Sequence, residues 1–307
     1  MHRVVSVILF LFSLTYANGQ SEPHRYRFSI GEEYYLKTSM KQNTETENME
    51  LQGNVSLDIK STLLMAVSSI TSTGHYELNC WYEGLTLNFF SPGSEIFIST
   101  EASEFHPIRT YITELEKNTF KVVMSDIGEF ILIEQLDSII NSFLSNLDTV
   151  TTKDSIIVKT IKESFGEEAL RGLGNTVLNV FNDSSATSCT KESTFSFNAK
   201  PVQIIKNIYY HPASESTFRV QGIGIIEETT DIFELREMAL VTTMKGNQTY
   251  DFLCSYDTGW IKKGVSKQRI HTLSVMKSHN DIPDGLKIPS FTESEYIFKG
   301  GRISEVK

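Results

Sequence analysis

Apolar and polar residues alternate over most of this chain. Tyr34, Leu36 and Met40 share one face with Lys37 and Lys41 opposite, the period of two expected of a half-buried strand. Val55, Leu57, Ile59, Leu63, Met65 and Val67 keep that period, with Asp58 and Lys60 between them, and predict an unusually long strand. Tyr76, Leu78, Cys80 and Tyr82 oppose Glu77, Asn79 and Glu83 until the Ser91-Pro92-Gly93 turn signal. Strands of this length must twist and curve.

Phe120–Ile133 reads as two strands joined by Ser-Asp-Ile-Gly, with Gly128 supplying the backbone freedom of the turn. A helix follows, because Leu136, Ile139, Ile140, Phe143, Leu144 and Leu147 fit the i, i+3, i+4, i+7 rule and Asp137 suits its N-cap. A second helical region spans about 154–181, interrupted near Gly166. Alternation returns at Ser193–Phe197, Ile204–Tyr210, Phe218–Glu227, Glu237–Met244, Thr249–Tyr256 and Trp260–Val275. Lys245-Gly246-Asn247-Gln248 is expected to close one hairpin and Asp257-Thr258-Gly259 the next, which makes Asp257 a turn former rather than a catalytic acid. Strands, then helices, then strands predict an α+β fold: a large curved, mainly antiparallel sheet packed against a few central helices at about 136–181. One domain covers 20–276. The last residues, 277–307, carry Pro283 and Pro289 and read as a tail along the surface.

The first 19 residues change the picture. Arg3, the apolar run Val4–Leu14 and the small residues of Ala17-Asn18-Gly19 read as a secretory signal peptide, with cleavage expected after Gly19 and an address in the periplasm or outside the cell. The run is too short to span a bilayer, and no later stretch approaches that length, so no integral membrane segment is expected in the mature chain. Loss of Arg3 leaves 27 basic against 38 acidic side chains, a balance that argues against nucleic acid as a partner.

Three cysteines remain, Cys80, Cys189 and Cys254, too few for a disulfide scaffold. Cys80 and Cys254 share the parity of aromatic neighbours and belong on buried faces, while Cys189 in its polar loop is expected to be the most accessible. A Cys80–Cys254 disulfide stays open beside two separate core thiols, since parity fixes the face and not the separation. The sequons at Asn54, Asn182 and Asn247 read as chance matches in a chain rich in Asn, Ser and Thr.

No recognisable chemistry emerges. There is no G-x-S-x-G, and His24, His75, His106, His211, His271 and His279 stand singly with no HxxxH or CxxC spacing, so neither catalytic nor metal-ligating residues are assigned and no cofactor is expected. Gly222-Ile223-Gly224 lies in alternating strand, where glycines permit close strand approach rather than dinucleotide binding. Glu32-Glu33 and Glu227-Glu228 are neighbours on strands and point to opposite faces.

The Gly31–Tyr34 start, the Ser-Asp-Ile-Gly-Glu-Phe passage into a helix, Phe-Gly-Glu-Glu-Ala-Leu at 165–170 and the closing Met-Lys-Gly-Asn-Gln-Thr-Tyr-Asp-Phe and Asp-Thr-Gly-Trp segments resemble an uncharacterised family of exported bacterial proteins, a domain of unknown function. The resemblance covers nearly the whole mature chain and brings no catalytic residues. It implies an envelope address.

Two function classes follow. The first is an exported, non-enzymatic binding or envelope-interaction protein whose curved sheet holds a hydrophobic small molecule or docks an envelope protein. The second is a secreted or periplasmic, hydrolase-like enzyme whose catalytic residues meet only in the fold.

Overall fold

The computed structural model describes residues 24–46, 53–92, 94–101, 109–144, 160–182, 186–197, 200–235, 238–277 and 285–305. The expected leader at 1–19 lies outside them, as do 145–159 of the expected helical middle. One antiparallel sheet dominates. Its strands are β1 (Glu33–Thr46), β2 (Gly53–Ile70), β3 (Tyr76–Ser91), β4 (Ser94–Ser99), β5 (Phe120–Met124), β6 (Phe130–Glu134), β7 (Ser188–Phe197), β8 (Lys200–Pro212), β9 (Thr217–Leu235), β10 (Met238–Ser255), β11 (Ile261–Lys277) and β12 (Lys287–Arg302). Their order is β6-β5-β3-β2-β1-β12-β11-β10-β9-β8-β7, with β4 paired to β3. Helices are few: α1 (Arg109–Lys117), α2 (Leu136–Leu144), a helical stretch at 160–165, and α3 (Glu167–Leu173) running into a π-turn at Gly174–Leu178.

Several expectations need correction. Lys245–Gln248 closes no hairpin: β10 runs through it as one strand of 18 residues, and the glycine sits at a bulge between Met244 and Gly246. The supposed tail contains β12, which pairs with β1 on one side and β11 on the other, so it is a central strand. Its alternation is hard to see because its inward residues include Thr292 and Ser294. Cys189 lies in β7 rather than in a loop. All three cysteines are free. Cys80 on β3 and Cys254 on β10 have four strands between them, so the bridge that parity left open is not formed. Helix α1 and strand β4 carry too short a pattern to have been anticipated.

The sheet curls until its two edge strands meet one helical segment. Arg171 Nη1 donates to the Phe130 carbonyl of β6 at 3.0 Å, and Asn175 Nδ2 donates to the Thr194 carbonyl of β7 at 2.9 Å. Side chains of α3 and the π-turn thus satisfy backbone groups that an open edge would expose to pairing with another chain.

One end of the concave face is filled by the segment at 24–32. The Tyr26 amide donates to Asp126 O at 2.7 Å and the Arg27 amide to Thr258 O at 3.0 Å, so the β5–β6 and β10–β11 turns hold the segment from two sides. Both turns carry a glycine at positive φ, Gly128 at 91° and Gly259 at 72°. A Cβ at Gly128 would lie 1.9 Å from Leu178 O, and one at Gly259 would lie 2.3 Å from Arg25 O. The Asp-Thr-Gly-Trp motif is therefore a clamp on the chain's own N-terminal segment. Tyr26, Phe28, Tyr34, Tyr76 and Trp260 pack there as a connected set of rings, and the Tyr76 hydroxyl donates to Tyr26 O at 2.8 Å.

Candidate functional site

Beyond this aromatic end, the inner face and the helical segment enclose a cavity of about 500 Å³. The sheet contributes Met40, Leu57, Ile59 and Leu63, and the helices contribute Phe165, Leu170 and Leu173. Every sheet residue in that group has inward parity on its strand, so the wall is the alternation of β1 and β2 carried past the point where protein fills it. Asp137 shapes the mouth. Its Oδ1 accepts from the Glu167 amide at 2.9 Å, so it caps α3 instead of the helix in which it lies. The Tyr82 hydroxyl reaches Phe165 O at 3.5 Å and ties β3 to the same wall.

A polar belt crosses the apolar face. Lys191, Lys206, Gly224, Gln248, Gln268, Ser294 and Gln42 are successive cross-strand partners on β7, β8, β9, β10, β11, β12 and β1. Gln248 is 1% exposed and Gln268 8%, yet both line the cavity together with Gln42. Gln248 Nε2 donates to Ser266 Oγ at 3.0 Å, and Gln42 Oε1 accepts from Ser294 Oγ at 3.3 Å. The Gln268 amide has no hydrogen-bond partner among the described residues. Nor has the hydroxyl of Tyr296, which also lines the cavity and whose pKa burial pushes up to about 12. Tyr296 is half-buried, and both groups are open to whatever occupies the cavity; a guest that covered them without bonding them would cost ~1–3 kcal/mol for each.

Lys206 continues the belt behind the cavity. It is fully buried and donates to Asn175 O. Burial, and secondarily the neighbouring Lys191, lower its pKa to about 7. Gly224 carries no side chain because Ile204 Cδ1 would lie 2.5 Å from its Cβ; at Gly222 the Tyr250 hydroxyl would lie 2.2 Å away. The glycine pair thus makes the close approach that its strand context implied.

Other candidates fall outside this arrangement. Among the described residues no three His, Cys, Asp or Glu side chains cluster as a metal site would require. Glu32 pairs with Arg302 at 3.2 Å and accepts from the Tyr34 hydroxyl at 2.6 Å, while Glu33 is exposed. Asp257 is exposed in its turn and accepts from Arg302 Nη2 at 3.0 Å. His106 and His279 lie outside the described residues. Burial raises the thiol pKa values of Cys80 and Cys254, which makes them poor nucleophiles. Among the described residues no helix is long and apolar enough to cross a membrane.

No curated protein matches the chain. Among solved structures, a lipovitellin structure concerned with lipid–protein interactions aligns at 12% identity and a TM-score of 0.47. The alignment covers 90% of this chain, which spans 25% of that one. An outer membrane channel from Pseudomonas putida F1 aligns at 6% identity and a TM-score of 0.25, covering 90% and 97% of the two chains. OpdQ of Pseudomonas aeruginosa aligns at 6% identity and 0.21, covering 90% and 100%. The profile of a family of unknown function (DUF6263) matches residues 73–261, more than half of the chain, and the protein belongs to that family.

Proposed function

We propose that the protein is an exported binding protein that holds an apolar small molecule between its sheet and the helical segment at 160–178. The cavity of about 500 Å³ with its wall of Met40, Leu57, Ile59, Leu63, Leu170 and Leu173 carries this reading. Protein interiors usually pack without voids of this size, and an apolar guest gains ~25 cal/mol for each Å² it buries. Export rests on the leader at 1–19, with the mature chain beginning at Gln20 in the periplasm or outside the cell.

Native mass spectrometry of the full chain, expressed with its leader and purified without detergent, tests both parts. The expected spectrum shows a mature chain starting at Gln20 and carrying a stoichiometric small-molecule adduct that organic solvent extracts. A chain that retains Met1–Gly19 removes the export reading. A chain that is always free of adduct, and that no apolar probe stabilises against heat, removes the binding reading.

A further inference from the structure

The polar groups inside the cavity select among apolar guests. Gln268 offers an amide N–H pair and a carbonyl, 92% buried and without a partner among the described residues. Around it stand the Gln248 carbonyl, left over once Nε2 is bound to Ser266, the Gln42 N–H groups, left over once Oε1 is bound to Ser294, and the Tyr296 hydroxyl. These groups both donate and accept, and none is charged. Lys206, the buried amine on the same cross-strand row, is turned to Asn175 O and does not line the cavity.

We propose that the ligand is a long-chain amphiphile whose head is uncharged and both donates and accepts hydrogen bonds, a hydroxyl or a primary amide, with Gln42, Gln248, Gln268 and Tyr296 as the residues that choose it. The proposal rests on the cavity reading above and adds the chemistry of the head. A carboxylate would meet the N–H and hydroxyl donors but would leave the Gln248 and Gln268 carbonyls facing its charge; the cation among the lining residues, Lys162, stands on the helical wall in the company of Asp137, Glu163, Glu167 and Glu168. An ammonium would find those carbonyls and strand the donors. A bare alkane would take solvent from the Gln268 amide and offer no hydrogen bond in return.

The test uses the full mature chain and a chain-matched set of probes: lauryl alcohol, lauramide, laurate, laurylamine and dodecane. Each competes at neutral pH against an environment-sensitive alkyl fluorophore. The alcohol and the amide are expected to displace it at least about tenfold more strongly than the two ionised probes, the equivalent of one good buried hydrogen bond. Gln268→Leu is expected to remove that advantage and to bind dodecane at least as tightly as the native chain does. Gln268→Met, judged folded by circular dichroism and melting, serves if the leucine variant does not fold, and the ranking on the native chain stands without either. Equal or tighter binding of laurate or laurylamine overturns the head-group proposal while leaving the cavity reading intact, as does a Gln268 variant that keeps the native ranking. Failure of the fluorophore and every probe to bind overturns both.

Discussion

Gln248 and Gln268 are direct cross-strand partners on β10 and β11, both more than nine-tenths buried, in the polar row that crosses a largely aromatic and aliphatic face. A pair of amides in such a place costs stability unless something completes its hydrogen bonds. Gln248 is partly satisfied by Ser266, and Gln268 by nothing among the described residues. The pair lies where the concave face stops being a filled core and becomes the wall of a cavity.

Gly172 gives direct access to that cavity. It lines the space from α3, and a Cβ there would meet nothing within 4 Å. Gly172→Ala is expected to stabilise the protein by ~0.5–1 kcal/mol through helix propensity alone. Gly172→Trp is expected to keep the native melting temperature within a few degrees while weakening apolar-probe binding at least about tenfold, since an indole takes the guest's place. Thermal melts beside probe titrations check both; undiminished binding by the tryptophan variant would put the guest elsewhere.

The two turns that clamp the 24–32 segment differ from ordinary glycine turns. Gly128→Ala and Gly259→Ala each combine a left-handed backbone with a Cβ pressed on a carbonyl, and are expected to cost at least ~1–3 kcal/mol. Gly74→Ala, also at positive φ but facing open space, is expected to cost only ~1 kcal/mol. Urea denaturation of the three variants decides; equal losses would mean that the clamp contributes nothing.

Much of this architecture was legible in the alternation, because one-sided burial writes itself as a period of two at Tyr34–Leu36, Leu63–Val67 and Tyr76–Tyr82. The turns at Gly128 and Gly259 were readable for the same reason, as glycines between apolar runs. The site was not. Gln248 sat in a Lys-Gly-Asn-Gln string that imitates a hairpin turn, and only the pairing with β9 and β11 shows the strand continuing, with a bulge against β9. Ser294 and Thr292 gave β12 the look of a tail, because a polar residue at core parity is indistinguishable in sequence from one facing water. A row of partners across seven strands is a property of register, which no local pattern contains.

Lys206 makes stability depend on pH in a defined direction. Its pKa is lowered from 10.5 to about 7, so between those values the unfolded chain binds the proton that the folded chain has released. Stability then rises with pH through that window, by at most ~1.4 kcal/mol per pH unit from this group. The native chain is expected to gain melting temperature relative to Lys206→Met as pH goes from neutral to alkaline. Parallel pH profiles of the two proteins would contradict the burial of an uncompensated amine.

Cysteine reactivity reports on the strand faces. Cys189 is half-buried, with Sγ 3.4 Å from the Tyr210 hydroxyl, whereas Cys80 and Cys254 are fully buried. Alkylation of the folded protein is expected to modify Cys189 first, with the other two reacting only on unfolding. Mass mapping that finds Cys80 or Cys254 labelled early would count against their inward placement.

The most direct measurement is a crystal structure of the protein with lauryl alcohol. The account predicts elongated density along Met40, Leu57 and Leu170, ending with the hydroxyl within hydrogen-bonding distance of the Gln268 amide. A cavity closed by protein side chains or holding only water, with Gln268 bonded to neither ligand nor probe, would contradict it.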